Sequence, residues 1–185
     1  MVAQDSEKKG LHEDAIKLYD LAKNHEKVVS LLNQLLSQVV HQPEGGSGSQ
    51  RSRVVELASA VALRFKTHGH NTFPTIVATL HLLMDLATFF NFYHKERFID
   101  ALEILKKLHI IALRRDEVDS RVAGVIAQGS EVRSVLPHIL LAAMTTTYKL
   151  YRSSQLPQSP QPSLNVSAAS APTAPSTSRS KPVPL

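Results

Sequence analysis

Nine histidines are the residues best equipped for chemistry, because a neutral imidazole can ligate a metal or move a proton near neutral pH. Their spacing supplies no ligand set. His68 and His70 stand two apart beside Gly69, His81 and His94 share one apolar stretch, and His109 follows the next periodic segment. No two are four residues apart and no HExxH occurs, so a metal site would have to be gathered wholly by the fold. Asp85 lies inside an apolar run, where burial would raise its pKa toward that of a general acid. An exposed edge, or a Lys, Arg or hydroxyl on a neighbouring helix, accounts for it more simply. There is no cysteine and no GxSxG, and Thr145, Thr146 and Thr147 fall within a helical pattern. Pro43-Glu44-Gly45-Gly46-Ser47-Gly48-Ser49 lacks the Lys-Ser/Thr ending of a phosphate loop and follows a helix rather than a strand. The residue chemistry points away from an enzyme, with no catalytic residue, metal, cofactor or small-molecule substrate expected.

The elements that would hold these residues are helices. The chain has 185 residues, 43% hydrophobic and 5% aromatic with no Trp, enough for one aliphatic core and a tail. The net charge is +5, but Arg152, Arg179 and Lys181 supply three of those charges with no acid after Tyr151. Residues 1–151 carry only +2, which weakens a nucleic-acid reading. Lys106-Lys107 and Arg114-Arg115 lack interleaved aromatics and read as solvated faces. The segment 72–94 is apolar all round the helical wheel, broken by His81, Asp85, Thr88 and Asn91. It falls short of an uninterrupted bilayer span, so neighbouring helices should bury it and no transmembrane segment is expected. Thr72 and Pro74 mark its start.

Before that hub, residues 10–24 carry a stripe of Leu11, Ala15, Leu18 and Ala22, widened by Ile16 and Tyr19. Asn24 closes that helix and a second, 26–40, follows at once. A third covers about 51–67, a fifth about 97–108, a sixth about 116–128 capped by Asp116, and a seventh about 130–152 with a kink or short break expected at Pro137. Ile110 to Leu113 should tuck into the core. The expected class is all-α, about seven helices in antiparallel pairs over residues 1–152, with a flexible loop at 41–50. Residues 153–185 hold seven of the ten prolines among Ser, Thr, Ala and Gln and are expected to be a disordered tail. Ser159-Pro160 is a weak proline-directed phosphorylation site.

Two stretches carry a resemblance. Gly10-Leu11-His12-Glu13-Asp14-Ala15-Ile16-Lys17-Leu18-Tyr19 and the Asp85, Phe89, Phe90, Tyr93, His94 pattern resemble the C-terminal end of the nucleoporin-interacting-component family, the large helical inner-ring scaffolds of the nuclear pore. The likeness continues more loosely to about Tyr151. It implies an irregular α-solenoid without catalysis, partnered by other nucleoporins and not directly by nucleic acid, located in the nucleus at the nuclear envelope. Family members are several times longer, so this chain is expected to be a terminal fragment or short product. An exposed apolar strip at Ile16 and Tyr19 is then expected to be a protein-binding site, where the rest of a solenoid would dock. The alternative is a small adaptor whose Pro-rich tail docks SH3- or WW-type domains.

Overall fold

The computed structural model describes residues 2–46, 48–68 and 74–155, and of residues 67 and 68 the backbone only. Its helices are α1 (Val2–Lys8), α2 (His12–Leu21), α3 (His25–Val39), α4 (Gln50–His68), α5 (Pro74–His94), α6 (Phe98–Leu108), α7 (Val118–Ile126) and α8 (Ser130–Gln155), with a 3₁₀ turn at Arg115–Glu117 before α7. No strand occurs among the described residues. The all-α class holds, with one more helix than the periodicity predicts.

Three of the connections are the same device. Gly10, Lys23 and Glu96 take left-handed φ of 76°, 56° and 55°. The next amide reaches back to the carbonyl five residues earlier: Leu11 N–H to Ser6 (2.9 Å), Asn24 N–H to Tyr19 (2.9 Å) and Arg97 N–H to Phe92 (2.9 Å). This is the Schellman closure, which satisfies carbonyls a helix end leaves orphaned. The residue after it already heads the next helix, so α1–α2, α2–α3 and α5–α6 each turn back on three residues. Asn24 therefore does not close the first helix as expected. Its Oδ1 accepts the Lys27 N–H at 3.3 Å and caps α3. Lysine and glutamate are strained in the left-handed region, where glycine is not. Lys23→Gly and Glu96→Gly should each stabilise the fold by about 1 kcal/mol, raising Tm by about 2–4 °C. A lowered Tm in thermal melts would show that these side chains are held by something the turn geometry does not reveal.

The centre is α5, packed against α3, α4, α6 and α8. By length and composition it could cross a bilayer, with a mean hydropathy of 1.4 over its most apolar window. Its apolarity is accounted for by these neighbours: Leu80, Leu83, Leu86 and Phe89 are fully buried with Leu32 and Leu36 of α3, Leu105 of α6 and Ile139 of α8. Ala78, His81, Asp85 and Thr88 form one exposed stripe along it, the period-3.6 spacing of a solvated edge. Asp85 thus sits in water rather than in a buried acid's place. The Thr72 cap expected for this helix lies outside the described residues, as do Gly69, His70 and the side chain of His68.

Toward the C-terminal half the boundaries shift. α4 begins where the Ser49 hydroxyl accepts the Ser52 N–H at 3.2 Å, an N-cap that periodicity alone does not flag. Asp116 does not cap α7; it falls inside the 3₁₀ turn, and no side chain caps the helix. Ile110 is buried, whereas Leu113 is exposed. Pro137 lies within α8 without interrupting it. The proline is on the solvent side, where the carbonyl it leaves unbonded can take water instead. The helix runs to Gln155, three residues into the segment expected as tail; residues 156–185 lie outside the described residues.

Candidate protein-binding surface

Ile16 and Tyr19 were expected on a free face of α2, and the structure places them inside. Their exposures are 1% and 7%, with Ala15 at 0%. The cause is α1, whose only apolar residues, Val2 and Ala3, make no legible stripe. It folds back over α2 through the Gly10 turn, and the Tyr19 hydroxyl donates to Glu7 Oε2 at 2.9 Å. Burial, and then the Glu7 carboxylate beside it, push the Tyr19 phenol above its ordinary pKa. The inward face of α2 is centred on Ala15, Ile16 and Tyr19, and it is Leu11 and Leu21, at 52% and 81% exposure, that face water.

The extended apolar surface lies instead on α7 and α8. Val118, Val122 and Ile126 fall at i, i+4 and i+8 on α7, and all are exposed, because α7 buries none of its residues. Between α7 and α8 runs a groove of about 370 Å³ floored by Ile110, Val125 and Leu136 and edged by Leu140. Beyond Leu140 the outer face of α8 continues through Leu141, Met144, Tyr148 and Tyr151, 57–69% exposed. A surface of this kind marks a place where something docks. Val118 and Val122, like Leu140 and Met144, stand at i and i+4, a spacing that a buried helix face also shows. A nine-residue helix with a three-residue apolar stripe was the available sign that α7 has little to bury itself against.

The histidines gather differently from any ligand set. His41, at the end of α3, stacks on His138 of α8 with ring centroids 3.8 Å apart and planes 21° from parallel. The His94 Nε2 donates to the His41 carbonyl at 3.0 Å; a carbonyl can only accept, so that nitrogen carries the proton. Among the described residues, no group of three His, Cys, Asp or Glu side chains is placed to hold a metal. Burial first, then the nearby His138 and His94, hold His41 below the ordinary imidazole pKa. The unfolded chain takes this proton near pH 6.5, while the folded chain resists it. The stability tied to His41 is present above about pH 6.5 and is lost as pH falls from there toward the folded value. Tm should therefore drop between about pH 7.5 and 5.5, and His41→Gln should shrink that drop. An unchanged drop in the variant would assign the pH dependence to other groups.

A family model described as Nup93/Nic96 matches residues 1–173. The chain belongs to the Nup93/Nic96 family. Its curated relatives include the nuclear pore complex protein Nup93 of Xenopus tropicalis, 42% identical over 151 residues, and that of Danio rerio, 38% identical over the same length. The Drosophila melanogaster protein Nup93-1 is 36% identical. In each case the match covers 82% of this chain and 18% of the relative, so the chain spans about a fifth of their length. Among solved structures, Chaetomium thermophilum Nic96 SOL superposes with a TM-score of 0.71 at 17% identity, over 82% of this chain and 26% of that one. At that identity the likeness speaks for the fold, and it places the stacked helices of this Nup93/Nic96-family chain within a helical solenoid architecture.

Proposed function

We propose that this chain is a scaffold element of the nuclear pore inner ring, acting at the nuclear envelope through contacts with other nucleoporins and without catalysis. The observation that carries the reading is the identity of about two residues in five with vertebrate nuclear pore complex proteins, sustained over 151 residues, 82% of the chain. The α7–α8 surface supports a binding role, and the exposed position of Asp85 removes the one residue that suggested acid chemistry. Other nucleoporins are the partners proposed; neither a small-molecule substrate nor direct nucleic-acid contact is part of the reading. No observation favours the adaptor alternative, whose working segment lies beyond Gln155.

Expressed in cells with a fluorescent tag, the chain should stain the nuclear rim, and the staining should survive deletion of residues 156–185. Staining that disappears with those residues would transfer the function to the tail. Diffuse staining of the intact chain would sink the scaffold reading.

A further inference from the structure

We propose that the outer face of α8 binds an amphipathic helix bearing acidic residues near both of its ends. The inference deepens the scaffold reading and rests on it for the existence of a partner, but the site itself is argued from the surface. Along α8, Leu140, Leu141, Met144, Tyr148 and Tyr151 recur at helical spacing and are all exposed. The strip is continuous with the α7–α8 groove at Leu140, and a ridge beside a groove is how one helix receives the apolar face of another.

Charge selects the occupant. Arg133 lies two turns before the strip and Arg152 directly after it, both exposed, and neither is in an ion pair among the described residues. After Glu131 the helix carries no carboxylate. Nineteen positions separate the two arginines, about 28 Å at the rise of an α-helix. A partner helix lying along α8 would satisfy both by placing Asp or Glu roughly five turns apart. The same charges disfavour the other candidates. A second copy docked antiparallel would set Arg133 against Arg152 of its neighbour. The segment 156–185 carries Arg179 and Lys181 and no acid, so it too would bring like charge to the arginines. Electrostatic complementarity of this kind decides partner choice and register more than raw affinity.

The test uses the full chain and two synthetic helical peptides of about 24 residues, identical in a Leu/Met stripe and differing in having Glu or Lys at both ends. By fluorescence anisotropy the Glu-ended peptide should bind at least about tenfold more tightly than the Lys-ended one. Met144→Glu should abolish binding of both with Tm unchanged, since Met144 is 69% exposed. Arg133→Glu with Arg152→Glu should reverse the preference. Equal binding of the two peptides, or a preference that survives the double reversal, would overturn the charge argument. A protein that is dimeric by light scattering and becomes monomeric with Met144→Glu would instead assign the strip to a second copy. Binding that appears only after deletion of residues 156–185 would assign it to the tail. Rim staining is read separately: if it persists while peptide binding fails, this inference falls alone. If binding holds without rim staining, the scaffold reading falls alone.

Discussion

Ile16→Glu combined with Tyr19→Glu should unfold the N-terminal half of the molecule at a cost of several kcal/mol. Both side chains are in the core cluster, with Ala15, Val28, Val29 and Leu32 among its other members. A carboxylate in that position would be buried without a partner, which is among the few single-site changes that reach the upper end of mutational destabilisation. Had the two residues lain on an open strip, the same substitutions would have improved solubility and left folding intact. Denaturant titration followed by circular dichroism distinguishes the outcomes. A midpoint equal to that of the parent protein would show that α1 does not cover α2 in solution.

Asn91→Leu should cost about 2–4 kcal/mol, whereas Arg51→Met should cost much less. The Arg51 side chain enters from the first turn of α4 and is 4% exposed. Its Nη2 donates to the Ala87 carbonyl at 3.1 Å and to Asn91 Oδ1 at 2.6 Å, while Nε finds no acceptor. Burial lowers the pKa of the guanidinium, and the field of Glu44, itself paired with Lys95 at 2.7 Å, partly offsets this. Removing Asn91 leaves a buried cation with one carbonyl for company. Removing the cation takes its desolvation cost away as well, so an apolar chain of similar length replaces it cheaply. The double variant should then be more stable than Asn91→Leu alone, a non-additivity that a double-mutant cycle reads directly. Equal losses from both single variants would mean that the guanidinium is a net stabiliser in its own right.

These two sites also show what the sequence conveys and what it withholds. Stripes of aliphatic residues place α3, α4, α5 and α6 to within a residue or two, because burying one face of a helix imposes a period that composition cannot hide. Helix α1 leaves no such trace: it has two small or medium apolar residues and is held by what it covers. Missing α1 is what made Ile16 and Tyr19 look uncovered. Val118, Val122, Leu140 and Met144 show the reverse case, with the spacing of a core face and an exposed position. Periodicity reports that a face is apolar and is silent on whether this chain supplies the other side. Arg51 is illegible for a third reason. An arginine near a loop is ordinarily solvated, and only the approach of α5, some forty residues on, makes this one internal. The family motif around Asp85, Phe89 and Tyr93 identified the chain without disclosing the surface on α7 and α8, since it lies on a different helix from either.

The three-residue turns have a consequence for how the molecule is made. Hairpins closed through Gly10, Lys23 and Glu96 draw on neighbours in sequence, so they can form within microseconds of the chain becoming available. Docking of α8 onto α3 is of another kind, since it must bring Ile139 into the cluster that holds Leu32 and Leu36 across everything between, and closing so long a loop is slow. During synthesis on the ribosome α8 is also the last of these helices to emerge. Until it does, the finished hairpins of α2–α3 and α5–α6 present bare leucine and phenylalanine to the cytosol, and it is in that interval that the nascent chain most needs the shelter of a chaperone.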